Sequence, residues 1–164
     1  MEHALAVMIR QSGGTADLER PIPSMSQRRE DGSIREAILD VQIMFPGVLR
    51  VWNVDVSVRS AVSERYGCKK LDPQHALRLA CKEKHDRYGP SVVPIVFGTL
   101  GRVSTETDLE LRSLAVACST ADRTGGSARP ETVARAWRER LQRTIIWAQA
   151  AVLALALGSQ RVQT

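Results

Sequence analysis

The chain has 164 residues, 43% of them hydrophobic, which is enough for one domain with a core of its own. Aromatic residues make up only 4%, so a nucleic-acid interface built on many stacked rings is excluded. The formal net charge of +5 modestly favours a polyanionic partner, and three scattered cysteines without a CxxC pair argue against a zinc site.

The N-terminal residues 1–33 are predicted to form a poorly ordered lead-in. Residues 11–33 are rich in Gly, Pro, Ser, Arg and Glu and show no sustained hydrophobic period. Glu2 and His3 stand where a secretory signal would be basic, and the apolar run 4–9 is too short to act as one. An intracellular protein is therefore expected.

Residues 37–58, AILDVQIMFPGVLRVWNVDVSV, predict a β-hairpin that turns at Pro46 and Gly47. This turn would place Asp40 opposite Asn53 and make Asp55 its diagonal neighbour, about 5 to 8 Å away on the same polar face. The other face would be apolar. Its residues are Leu39, Val41, Ile43, Trp52, Val54 and Val56.

Two carboxylates at that separation repel each other unless a cation lies between them. Hard oxygen ligands suit Mg²⁺, which commonly binds one or two protein carboxylates and completes its shell with water and phosphate. Asp40 and Asp55 are therefore either the ligands of a Mg²⁺ or Mn²⁺ ion or two solvated carboxylates on the polar side of a hairpin.

A helix is predicted over residues 73–88, because Asp72 is a good N-cap, Pro73 suits the first position and Gly89 follows the last turn. Lys84 interrupts an otherwise apolar stripe on this helix. Its ammonium either reaches water along the surface of the core or meets an anion, for which the two aspartates are the candidates.

A third strand is predicted over residues 91–98, SVVPIVFG, where Pro94 favours an edge position or a bulge. Thr105 and Asp108 have the spacing of a capping box that opens the next helix.

A long helix is predicted from Pro130 to about Leu157, with a basic first half and a second half that is apolar nearly all round. The apolar half either packs into the core or docks on a partner, and residues 145–157 are too short a run to cross a bilayer.

The two aspartates and the later segment Lys84-His85-Asp86-Arg87-Tyr88 resemble the restriction-like endonuclease domain of site-specific non-LTR retrotransposons. That domain carries a Pro-Asp, an acidic residue a dozen or so positions on, and a lysine in a Lys-x-x-(Lys/Arg)-Tyr context. The resemblance covers residues 35–117, including VVPIVFGTLG at 92–101, and is also seen with reverse-transcriptase-derived reading frames of protists and algae.

The resemblance implies a PD-(D/E)XK fold of the α/β (α+β) class: a small mixed sheet with a central β-hairpin flanked by helices, plus the long C-terminal helix. It implies three parts, a lead-in at 1–33, a nuclease-like core at 34–122, and a linker and long helix at 123–164. It also implies a nuclear protein that nicks target DNA and exposes a 3′ hydroxyl.

Family membership would assign catalytic roles to Asp40, Asp55 and Lys84. The two aspartates would bind Mg²⁺ or Mn²⁺, and Lys84 would stabilise charge on the phosphate. DNA would be contacted by a further group of side chains, which comprises Arg35, Lys82, His85 and Arg87. Partners other than DNA would be the reverse transcriptase portion of a longer protein or a second copy bound through the C-terminal helix, and no membrane is expected.

Two positions depart from the family pattern: Leu39 replaces the proline of the Pro-Asp, and Ser57 stands where a standard (D/E)XK site has its lysine. No cysteine-histidine zinc knuckle precedes the hairpin. A nucleic-acid-binding remnant without catalysis and a protein-interaction domain that uses the C-terminal helix are therefore the alternative functions.

Overall fold

The computed structural model describes residues 1–28, 30–60, 72–121 and 128–160. Its helices are α1 (Glu2–Gln11), α2 (Pro73–Tyr88), α3 (Thr105–Ala121) and α4 (Pro130–Gln160), with a short 3-10 turn at Pro23–Met25. Its strands are β1 (Thr15–Pro21), β2 (Gln27–Arg28), β3 (Ile34–Arg35), β4 (Ile38–Met44), β5 (Trp52–Arg59) and β6 (Val92–Gly98). The mixed α/β class is confirmed.

The main sheet has the order β1-β4-β5-β6, in which β1, β4 and β5 are antiparallel neighbours and β6 runs parallel to β5. β2 and β3 form a separate two-stranded ladder. Helices α1, α3 and α4 cover one face of the main sheet and form the larger core with it. Helix α2 covers the other face at the β5 and β6 end, where Ala76, Leu77, Ala80 and Cys81 pack on Val96.

The prediction that residues 1–33 lack regular structure is wrong, because α1 and β1 lie within them. Helix α1 buries Leu5, Ala6, Met8 and Ile9 at helical spacing against the sheet. Strand β1 is an edge strand whose only fully buried residue is Ala16, so its sequence shows no alternation of buried and exposed residues. The division of the chain into three parts stays a prediction.

The hairpin turn lies where the sequence predicts it, but the register of the strands differs by two residues. Gly47 has a φ of +76°, and the Val48 amide donates to the Phe45 carbonyl at 3.1 Å. Four further loop residues follow the turn before β5 begins at Trp52, so Gln42 rather than Asp40 lies opposite Asn53. An even shift keeps every side chain on its predicted face, and the apolar face is confirmed.

The predicted boundaries of α2 and the edge position of Pro94 are confirmed. The Asp72 carboxylate accepts a hydrogen bond from the Gln74 amide at 2.9 Å, and Gly89 ends the helix with a φ of +88°. Strand β6 is the edge strand beside β5, so the missing N–H of Pro94 removes no bond from a further strand.

Helix α3 is capped one residue earlier than the sequence predicts. The Ser104 hydroxyl accepts the Thr107 amide at 3.0 Å, and Ser104 is buried whereas Thr105 is exposed. The predicted capping box of Thr105 and Asp108 is therefore wrong: the cap needs a side chain that faces the first turn, and Ser104 provides it.

Replacing Ser104 with alanine is expected to lower the free energy of unfolding by about 1 to 2 kcal/mol, because the Thr107 amide loses its acceptor in a buried place. Urea unfolding followed by circular dichroism measures this. Thr105→Ala is the matched control, and an equal loss in both variants would contradict the assignment of the cap.

Helix α4 packs through its first half and leaves its apolar second half exposed. Ala134, Trp137, Leu141 and Ile145 are buried in the larger core. Trp147 and Leu155 are each 75% exposed. The alternative that the apolar half packs into the core therefore holds for Ile145 but not for the exposed apolar side chains described beyond it, and docking on a partner stays a prediction. Within the described residues, the helices include none with the length and apolar character needed to cross a bilayer.

Candidate active site

Asp40 and Asp55 lie on adjacent strands at the point where the ladder between β4 and β5 stops. The last backbone pair is Val41 with Val54, so the register continued by one residue places the two aspartates directly opposite each other. Directly opposed residues have Cβ atoms about 4.5 to 5.5 Å apart. The two aspartates therefore occupy directly opposed positions, which are closer together than the diagonal positions expected from the sequence.

The Asp40 carboxylate takes part in holding the two strands together. Its Oδ2 accepts a hydrogen bond from the backbone N–H of Val56 at 2.6 Å. This side-chain bond joins β4 to β5 beyond the end of the backbone ladder. Asp40 is consequently held at the seam between the strands rather than left as a freely rotating surface carboxylate.

Lys84 reaches Asp55 from helix α2. Its Nζ donates to Oδ1 of Asp55 at 2.7 Å and to Oδ2 at 2.8 Å. The two side chains are 13% and 7% exposed, so the pair is largely removed from water. The sequence left open whether the Lys84 ammonium reaches water or meets an anion, and in the structure it contacts the Asp55 carboxylate.

The helix position of Lys84 explains this contact. Ala80 and Cys81 precede it by four and three residues and pack on β6, so the same face of α2 points at the sheet. Asp55 lies on the face of β5 that α2 covers, because it alternates with the residues of the larger core.

The pKa of Asp40 is raised above its ordinary value. Burial is the main cause, and the negative charges of Asp55 and Glu2 add to it, whereas the Val56 N–H and the Lys84 ammonium act in the opposite direction. Asp40 therefore holds a proton more readily than a solvated aspartate does. A cation bound between Asp40 and Asp55 would reverse this preference.

Glu2 is a carboxylate near the site that the sequence analysis missed. It begins helix α1, and its charge raises the pKa of Asp40. Its own pKa is lowered, chiefly because the carboxylate accepts its own backbone N–H, with help from the Met1 ammonium at 3.2 Å from Oε2. The sequence did contain a signal for Glu2, because an acidic residue one turn before an apolar run is typical of the start of a helix. It was missed because residues 1–33 were assigned to a poorly ordered lead-in.

The residues present fit a hard divalent cation in their chemistry. Asp40 and Asp55 supply the one or two carboxylates that Mg²⁺ commonly takes from a protein. Lys84 contacts both oxygens of Asp55, and the Val56 amide contacts one oxygen of Asp40. In the part of the chain that the structure describes, no cluster of three or more His, Cys, Asp or Glu side chains is arranged to hold a metal ion. Water and a substrate phosphate would therefore complete the shell.

Two of the predicted DNA-contacting residues, Lys82 and His85, bond to carboxylates other than Asp40 and Asp55. Lys82 is exposed and bonds Asp86 at 2.6 Å on the outer side of α2. His85 Nε2 lies 2.5 Å from Glu106 Oε1, which joins the end of α2 to the start of α3. Lys82 remains accessible to DNA, whereas His85 has a role in positioning α2.

The other two predicted DNA contacts are Arg87 and Arg35. The Arg87 guanidinium lies over the Tyr88 ring, 4.5 Å from its centroid, and its charge is thus partly engaged with an aromatic face. Arg35 lies on β3, and its side chain falls outside the described residues.

No protein family model, no curated protein and no solved structure matches the chain.

Proposed function

We propose that this chain is a metal-dependent DNA endonuclease domain with a PD-(D/E)XK core, of retrotransposon origin, that nicks target DNA. The observation that carries the proposal is the convergence of Asp40, Asp55 and Lys84, which come from β4, β5 and α2. A carboxylate pair can bind a metal ion and an adjacent ammonium can stabilise developing negative charge, and both effects favour phosphodiester hydrolysis.

Each residue would have a distinct part in the reaction. Asp40 and Asp55 would hold Mg²⁺ or Mn²⁺. The bound ion would make a neighbouring water a stronger nucleophile and offset charge on the phosphate. Water oxygen would bond to phosphorus and release a proton to solvent. The bond from phosphorus to the 3′ oxygen would break, and the 3′ oxygen would take up a proton from solvent and leave as a hydroxyl. Lys84 Nζ would favour the transition state, in which the phosphate carries more negative charge than in the ground state.

The raised pKa of Asp40 supports this assignment. A carboxyl buried beside a second carboxylate costs stability when it is ionised, and a cation bound by both carboxylates would offset this cost. The net charge of +5 is also compatible with a DNA partner.

The test is nicking of a supercoiled plasmid by the purified chain. Open circles are expected with Mg²⁺ or Mn²⁺ and none with EDTA, because the two aspartates need a cation to engage the phosphate. Asp55→Asn should abolish nicking, whereas Asp86→Asn, a matched change at an exposed carboxylate of α2, should leave it unchanged.

Two results would contradict the proposal. Nicking by Asp55→Asn at the rate of the unmodified chain would show that another protein or another site cleaves the DNA. DNA binding without cleavage under every cation would support the nucleic-acid-binding remnant instead.

A further inference from the structure

The polar face of β5 continues beyond Asp55 to Ser57 and Arg59. Side chains alternate along a strand, so these three residues share one face. Strands rise about 3.3 Å per residue, which places Arg59 roughly 13 Å from Asp55 along the strand. Asp55, Ser57 and Arg59 therefore form a line of polar side chains that starts at the candidate active site.

Both residues beyond Asp55 carry a buried polar atom without a protein partner. Ser57 Oγ and Arg59 Nε make no hydrogen bond within the described part of the chain. Buried polar groups are nearly always hydrogen-bonded, because leaving them unpaired costs stability. A ligand that presents hydrogen-bond acceptors along this line would satisfy both groups.

A ligand would reach the two residues from solvent, to which each keeps part of its surface exposed. Ser57 and Arg59 are both half-buried rather than enclosed, and a serine side chain changes rotamer easily. The residues of β6 beside them are Val96 and Gly98, which offer no competing polar side chain. Gly98 itself has no side chain, and the space beside its backbone is bordered by Arg102.

We propose that Ser57 and Arg59 form a phosphate-binding track along β5 for the DNA strand that is cleaved at Asp40 and Asp55. The inference rests on the proposed endonuclease function and names the side chains that hold its substrate. The Ser57 hydroxyl donates to an oxygen of the phosphate at the cation site, and the Arg59 guanidinium pairs with a phosphate farther along the same strand.

Spacing and chemistry agree with this assignment. Successive phosphates of one strand are roughly 3.4 Å apart along the axis of duplex DNA, so a 13 Å line spans several of them. The guanidinium of arginine presents several donors in a plane and matches the oxygens of a phosphate. The track also supplies a positive charge in line with the carboxylates, whereas His85 is engaged with Glu106.

The charge of Arg59 is tested by the salt dependence of binding. Affinity for a short DNA duplex is measured in Ca²⁺ between about 50 and 200 mM salt, where each phosphate contact contributes about 0.9 to the slope of log K against log salt. Arg59→Gln should weaken binding and reduce the slope by about one contact. Arg135→Gln, a matched change at an exposed arginine of α4, should leave the slope unchanged.

The hydroxyl of Ser57 is tested by rate and stability together. Ser57→Ala should slow nicking at saturating DNA about tenfold without lowering the melting temperature, because the hydroxyl has no partner in the protein to lose. Ser57→Thr keeps the hydroxyl and should retain the rate. A lower melting temperature in Ser57→Ala, or an unchanged rate, would overturn the role of Ser57.

The outcomes separate the track from the proposed function. One outcome would contradict the track alone: Asp55→Asn abolishes nicking, but Arg59→Gln has the same slope of log K against log salt as the unmodified chain. Equal losses of slope in Arg59→Gln and Arg135→Gln would also contradict it, because the effect would be one of net charge. A chain that binds DNA through Arg59 and never nicks it would contradict the endonuclease and support the track as a binding surface.

Discussion

Replacing Lys84 with methionine is expected to abolish nicking and to lower the free energy of unfolding by about 3 to 5 kcal/mol. The change leaves the Asp55 carboxylate buried without the ammonium that now contacts both of its oxygens. Removing one partner of a buried ion pair has a cost of about this size, because an uncompensated charge remains in a poorly solvated place. Urea unfolding at neutral pH measures the stability, and plasmid nicking measures the activity.

Two further variants distinguish the ion pair from the helix that carries it. The double variant Asp55→Asn with Lys84→Met should regain most of the lost stability, because neither charge is then buried, yet it should not nick DNA. Lys82→Met, at an exposed position of the same helix, should change the free energy of unfolding little. A Lys84→Met protein as stable as the unmodified chain would contradict the buried pair.

Replacing Asp40 with asparagine is expected to make the cation-free protein more stable at neutral pH and to abolish nicking. Asparagine resembles the protonated form that the site prefers when no cation is bound. For the unmodified chain, Mg²⁺ at 100 times its dissociation constant should add about 2.7 kcal/mol, and most of this gain should disappear in Asp40→Asn. Thermal unfolding with and without Mg²⁺ measures both effects. Asp17→Asn on β1 is the matched control.

The pH dependence of this variant follows from the raised pKa of Asp40. Since the folded pKa lies above the ordinary value of 3.8, the native state binds more protons than the unfolded state between the two values. Asp40 therefore makes the protein less stable as the pH rises from 3.8 through its folded pKa. The stability advantage of Asp40→Asn should grow over that range. An advantage that shrinks with rising pH would contradict the raised pKa.

Local signals in the sequence were sufficient for several features that depend on near neighbours, although the cap of α3 was assigned one residue too late. The cap at Asp72 and the stop at Gly89 define α2, because each depends on backbone groups within one turn. Alternation along a strand determined that Asp40 and Asp55 share a face, since this depends only on the parity of the register. Pro94 indicated an edge strand because it lacks an N–H to donate.

Features that depend on distant parts of the chain could not be predicted in the same way. The length of the loop between Pro46 and Trp52 set the register of β4 against β5. Packing, rather than the local preference of the turn residues, decides how long such a loop is. Strand β1 gains its stability from contacts with β4 and the larger core, so its own residues carry only a weak pattern.

The sequence by itself determined which residues could form the site: two aspartates on one face of a hairpin and a lysine on the inward face of the next helix. Only the tertiary structure decided that they meet. The contact of Lys84 with Asp55 joins residues 29 positions apart, and the charge of Glu2 reaches Asp40 from the start of the chain. The physical reason is that the packing of α1 and α2 against the sheet sets these distances, and packing depends on the whole core rather than on any short stretch of sequence.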